Sequence, residues 1–177
     1  MTKPERKALN KMPAAREGKH ILIYTDGSCS PNPGPGGYAA TLRRMDGGAQ
    51  LKRACVRGQE PTETTNVRME MTAIAAALEV VKPGEPEPIV IYSDNRLVLD
   101  GMGGWLQKWE ANGWRKADKK PVVNRDIWER LIAATAEKSI EWRHVKAHAG
   151  HPFNEEVDRL AKVQMQEAHD AFFGLST

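Results

Sequence analysis

A run of apolar residues, Ile21-Leu22-Ile23-Tyr24-Thr25, ends in Asp26 and is followed by a stretch crowded with Gly27, Pro31, Pro33, Gly34, Pro35, Gly36 and Gly37. Aliphatic, β-branched and aromatic residues in succession predict a strand, and the proline and glycine cluster predicts a sharp change of direction behind it. A carboxylate at the end of such a strand sits where desolvation penalises its charge. It stays ionised only beside a cation or several donors. The other reading of Asp26 is a turn-opening aspartate, whose side chain bonds the backbone just beyond it.

Residues 37–44 and 49–56 predict two further strands, and Asp46-Gly47-Gly48 between them is a hairpin signal, so the first three strands form an antiparallel meander. The period then changes. Over residues 66–82, Val67, Met71, Ile74, Leu78 and Val81 recur at helical spacing while alanines fill the other sides, which predicts a buried helix. Residues 89–94, Ile-Val-Ile-Tyr-Ser-Asp, predict a short strand covered on both faces and ending in Asp94. Helical stretches are expected at 95–102, 105–114 and 124–138, a last strand at 139–145, and a final helix with Pro152 in its first turn. This order implies an α/β fold: a five-stranded mixed sheet, an antiparallel meander and then parallel strands, flanked by helices. Sites in such sheets lie at the carboxyl ends of the parallel strands, where Asp26 and Asp94 both fall.

A length of 177 residues suits one domain. The expected division is a basic tail at 1–19, a folded unit at 20–170 and a short C-terminal tail at 171–177. The first 20 residues carry six cations against two acids, so a tail of net charge +4 precedes a body of −1. Such an arm is either a foothold on a polyanion or a solubilising end. The apolar-rich run at 71–78 is far short of the ~20 residues of a membrane span. Two cysteines, Cys29 and Cys55, and no secretory apolar stretch predict a reducing, cytoplasmic setting, with both thiols as small core residues.

Two more acids interrupt apolar helix faces. Glu70 lies one turn before Ile74, and Asp158 stands beside Val157, Leu160 and Ala161. Glu70 has a salt bridge to Arg68 or another base as its alternative reading, and Asp158 an ordinary place on a charged helix. If Asp26, Glu70, Asp94 and Asp158 converge on one rim of the sheet, they repel one another unless divalent cations sit among them. Oxygen-only ligands suit Mg²⁺ or Mn²⁺, and two such ions make the arrangement used for phosphoryl transfer.

Thr25-Asp26-Gly27-Ser28-Cys29 with Asn32-Pro33-Gly34-Pro35-Gly36-Gly37, then Thr64-Thr65-Asn66-Val67-Arg68-Met69-Glu70-Met71, Ser93-Asp94, and His148-Ala149-Gly150-His151-Pro152 running on to Asp158, together resemble the bacterial type 1 ribonuclease H family. The resemblance spans about residues 20–169, with four separated motifs in order. It implies the ribonuclease H fold and endonucleolytic hydrolysis of the RNA strand of RNA–DNA hybrids, leaving 3′-hydroxyl and 5′-phosphate ends. It also implies that Asp26, Glu70, Asp94 and Asp158 are the metal-binding carboxylates, with two Mg²⁺ ions (Mn²⁺ as substitute), and that His148 is the histidine of a mobile catalytic loop. A histidine in a glycine-bearing loop is suited to proton transfer near neutral pH, although it is also an ordinary solvated residue type.

The segment from Trp105 to Lys120 resembles the same family's basic protrusion. Lys108, Lys116, Lys119 and Lys120 interleave with Trp105, Trp109 and Trp114, the combination that neutralises phosphates and packs on sugars or bases. Some of these indoles are expected to be helix-packing residues instead. Asn32, Thr65 and Asn66 match positions used near the substrate backbone, where amides and hydroxyls meet phosphate and the RNA 2′-hydroxyl. The chain departs from the family pattern at Val67, where a second asparagine is common, and at Asn95-Arg96-Leu97. The expected partner is a hybrid duplex bound by a monomer. Another nuclease or strand-transferase of the same fold, and a hybrid-binding module without chemistry, are the competing readings.

Overall fold

The computed structural model describes residues 16–145 and 151–175. Strands β1 (Lys19–Cys29), β2 (Gly34–Asp46) and β3 (Ala49–Thr64) form the meander, and α1 (Asn66–Val80) follows. Then come β4 (Ile89–Ser93), α2 (Arg96–Asp100), a wide turn at Gly101–Trp105, α3 (Leu106–Ala111), α4 (Arg125–Thr135), β5 (Ile140–His144) and α5 (Pro152–Phe172). The sheet order is β3-β2-β1-β4-β5, with β1 antiparallel to β2 and parallel to β4. This is the predicted five-stranded mixed sheet.

Alternation along the strands builds two cores, one on each face. Ile21, Ile23, Leu42, Ile89 and Ile91 point one way, against Met71, Ile74 and Leu78 of α1 and Trp128 and Leu131 of α4. Tyr24, Val90 and Tyr92 point the other way, against Val157 of α5. β4 is buried at every position, as its unbroken apolar run requires. Among the described residues, no helix is long and apolar enough to cross a membrane.

Several boundaries differ from those read in the sequence. β3 continues from the expected residue 56 to Thr64, past Pro61. It is an edge strand, and its register against β2 shifts between Gly34 and Gly36, opposite the segment that holds the proline. An edge bulge is where a strand tolerates a residue without an N–H. The same edge position corrects the expectation for Cys55, which is exposed, whereas Cys29 is buried. The helices at 66–82 and 124–138 end earlier than their apolar pattern, at Val80 and Thr135. Asp26 does not end its strand, because β1 runs on to Cys29 paired with β2. It lies instead beyond the parallel pairing, which stops at Tyr24 opposite Tyr92.

Candidate active site

That register fixes the first two acids. Tyr24 and Tyr92 are partners, so Asp26 and Asp94 each lie two residues past the last parallel pair, level with one another beyond the carboxyl end of the β1–β4 pairing. Glu70 comes from the second turn of α1. Thr65 caps that helix by accepting from the Arg68 N–H at 3.2 Å, and the Asn66 side chain ties it to β1 by accepting from the Cys29 N–H at 2.7 Å. Gly27 then lets helix and strand touch, for a Cβ there would fall 2.2 Å from the Glu70 nitrogen. On the opposite face Gly37 plays the same part for α5, since a Cβ there would fall 2.2 Å from the Met165 nitrogen. Two glycines at helix landing points therefore bring the acids of both helices to the rim.

One carboxylate oxygen from each of Asp26, Glu70 and Asp94 lies within 4.8 Å of the others. Asp158 joins them in lining a cleft of about 220 Å³ together with Ser28, Asn66, Asn154 and Lys162. Its charge helps to raise the proton affinity of Asp26, and it is paired with Lys162 one turn on, at 2.9 Å. The expected Arg68 salt bridge to Glu70 does not form, because Arg68 bonds Asp126 and Asn124 instead. A larger cavity of about 400 Å³ lies at the other end of β1, but its one acid, Glu85, is held by Arg44 and its walls are otherwise apolar or basic.

Burial, and then crowding, raise the proton affinity of the cluster. Burial, and next the charge of Asp94, push Asp26 up to about 7, against the lowering influence of the Gly27 N–H that it accepts at 2.8 Å. Burial, then the charges of Asp94 and Asp26, push Glu70 up to about 8, although Asn95 donates to it at 2.5 Å. These are the marks of a site short of positive charge. Three clustered oxygens without nitrogen or sulfur donors fit a hard divalent cation such as Mg²⁺ or Mn²⁺.

The expected substrate residues are dispersed. Asn66 lines the acidic cleft; Thr65 sits beside it as the helix cap. Asn32 is exposed in the turn after β1 and accepts from the Cys29 thiol. Trp105 is exposed, while Trp109 and Trp114 pack partly against the α1-side core. Lys108, Lys116, Lys119 and Lys120 are exposed. None of these protrusion residues lines the acidic cleft. His148 lies outside the described residues. Asn154 and Lys162 carry no motif that singles them out in the sequence, although each stands one helical turn from Asp158.

Comparison with known proteins agrees with this geometry. The family model for RNase H matches residues 18–166. Ribonuclease H of Paracoccus denitrificans (strain Pd 1222) is 46% identical over 145 residues, covering 82% of this chain and 92% of its own length. Among solved structures, LC9-RNase H1, described as a type 1 RNase H with the type 2 active-site motif, superposes with a TM-score of 0.73 at 27% identity. That match covers 86% of this chain and 75% of the other. LC11-RNase H1 in complex with RNA/DNA hybrid shares the fold at a TM-score of 0.61 and 20% identity, over 84% of this chain and 99% of the other.

Proposed function

The chain belongs to the ribonuclease H family, and from that premise we propose that it is an endonuclease hydrolysing the RNA strand of RNA–DNA hybrids, acting as a cytoplasmic monomer. The observation that carries this reading is the convergence of Asp26, Glu70 and Asp94 within 4.8 Å, with Asp158 on the same cleft. These four carboxylates would hold two divalent ions, Mg²⁺ with Mn²⁺ as substitute. Bound there, such ions supply Lewis-acid activation of water and stabilisation of a departing oxygen.

The chain's own groups do the rest. Asn66 is anchored through its carbonyl oxygen to the Cys29 N–H, so its amide nitrogen is the end left to donate to a strand lying in the cleft. Thr65 and Asn32 contact the same strand, where a 2′-hydroxyl separates RNA from DNA. Lys108, Lys116, Lys119 and Lys120, with the faces of Trp105, Trp109 and Trp114, hold the duplex backbone away from the cleft. In the reaction an oxygen of water bonds to phosphorus, the bond from phosphorus to O3′ breaks, and O3′ takes up a proton. The ends are a 3′-hydroxyl and a 5′-phosphate. His148 serves proton transfer or product release.

Labelled RNA–DNA, RNA–RNA and DNA–DNA duplexes incubated with Mg²⁺ or with EDTA test the proposal. Cleavage confined to the RNA of the hybrid, and stopped by EDTA, is expected. Efficient cutting of DNA–DNA, or full activity in EDTA, would refute it.

A further inference from the structure

Helix α5 carries Asp158 to the rim from the far face of the sheet, and its rotation about its own axis is fixed by groups that the proposed chemistry does not use. Val157 is fully buried in the core on that face. One residue earlier, Glu156 receives the guanidinium of Arg43 on β2 and that of Arg53 on β3. One residue later, Asp158 lies in the acidic cleft. Successive helical residues are about 100° apart, at 3.6 per turn. Glu156 and Asp158 therefore flank Val157 on opposite sides, and turning the helix by one position would carry Asp158 out of the cleft.

Arg43 is unusually well placed to hold that angle. Its side chain is 3% exposed, it donates to the Thr41 hydroxyl at 2.6 Å, and its guanidinium carbon lies 3.9 Å from the centroid of the Phe153 ring in the first turn of α5. A second attachment joins the same end of the helix to β1, where the Tyr24 hydroxyl meets His151 Nε2 at 3.1 Å. A buried ion pair adds little net stability over a well-packed apolar pair, so stability alone does not account for a charge buried here.

We propose that Arg43, acting through Glu156, is a positioning residue of the acidic site: it sets the rotation of α5 so that Asp158 faces Asp26, Glu70 and Asp94. This rests on the reading of that rim as the metal site. The test compares the full-length wild type with a paired Arg43→Met, Glu156→Leu variant and with Arg43→Lys, in hybrid cleavage, calorimetric Mn²⁺ binding and thermal melting. The paired variant should melt within a few degrees of the wild type and keep its KM. Its kcat should fall about 10- to 100-fold and its Mn²⁺ affinity about tenfold, the usual loss when a residue orienting a metal ligand is removed. Arg43→Lys keeps the charge without the planar fork, so its kcat should lie between the two at unchanged KM. Wild-type kcat and Mn²⁺ affinity in the paired variant would overturn the proposal. Should that variant not fold, Arg43→Lys decides alone, and wild-type values in it are again the refutation. A wild type that neither cuts hybrid nor binds Mn²⁺ would refute the proposed function and this inference with it, whereas an active wild type with indifferent variants refutes the inference alone.

Discussion

Replacing Asp26 with asparagine should stabilise the metal-free protein, by an amount that grows with pH. One carboxylate oxygen from each of Asp26, Glu70 and Asp94 lies within 4.8 Å of the others. Two unit charges at that distance repel by about 3.5 kcal/mol at an effective dielectric of ~20. Burial, and next the charge of Asp94, raise Asp26 from 3.8 to about 7, and proton uptake relieves part of this repulsion. A shift of that size makes ionising Asp26 in the fold cost about 4 kcal/mol. Because its folded value lies above its unfolded one, its stabilising contribution is complete below pH 3.8 and is lost as pH rises through 7. Asparagine keeps an oxygen to accept from the Gly27 N–H and carries no charge. Allowing for coupled protonation of Glu70, the expected gain is near zero at pH 4 and about 2–4 kcal/mol at pH 8.5, or roughly 5–10 °C in Tm for a domain of this size. Melts followed by circular dichroism in EDTA across that range measure the gap, and millimolar Mg²⁺ should shrink it. A variant less stable than the wild type at pH 8.5, or a gap independent of pH, would refute the reasoning.

Other substitutions probe the remaining parts. His148→Ala should lower kcat about 10²-fold in hybrid cleavage and leave binding, measured by fluorescence anisotropy, nearly unchanged; loss of binding would show a different role. Replacing Lys116, Lys119 and Lys120 with alanine should weaken hybrid binding and reduce the slope of log affinity against log salt by about 0.9 for each phosphate no longer neutralised, with an unchanged slope as the contrary result. Gly27→Ala places a carbon 2.2 Å from backbone atoms of both Met69 and Glu70, so urea unfolding should show a loss of about 3 kcal/mol or more. An unaltered midpoint would contradict the close approach of α1 to β1.

The sheet was legible because its two kinds of strand announce themselves differently. The hairpin glycines Gly47 and Gly48 mark the meander, and the unbroken run from Ile89 to Tyr92 marks a strand buried on both faces. Both strands carry an acid at the carboxyl end of their parallel pairing, which is enough to place Asp26 and Asp94 on one rim before any coordinate is known. The helix acids were harder. Glu70 and Asp158 each had a plausible partner close in sequence, and only the folded geometry tells that Arg68 turns to Asp126 while Lys162 does take Asp158. Gly27 reads in sequence as a turn residue, yet it lies within a strand, and there, as at Gly37, the lack of a side chain admits a helix. The continuation of β3 past Pro61 and the burial of Arg43 depend on partners distant in the chain, so no local pattern signals them.

Metal binding at the acidic rim is measured most directly by calorimetric titration of Mn²⁺ into the wild type and into Asp94→Asn. Saturable binding in the wild type, reversed by EDTA and weakened at least tenfold in the variant, is the expected result. Identical isotherms for the two proteins, or no binding by the wild type, would contradict the assignment of Asp26, Glu70 and Asp94 as a metal site.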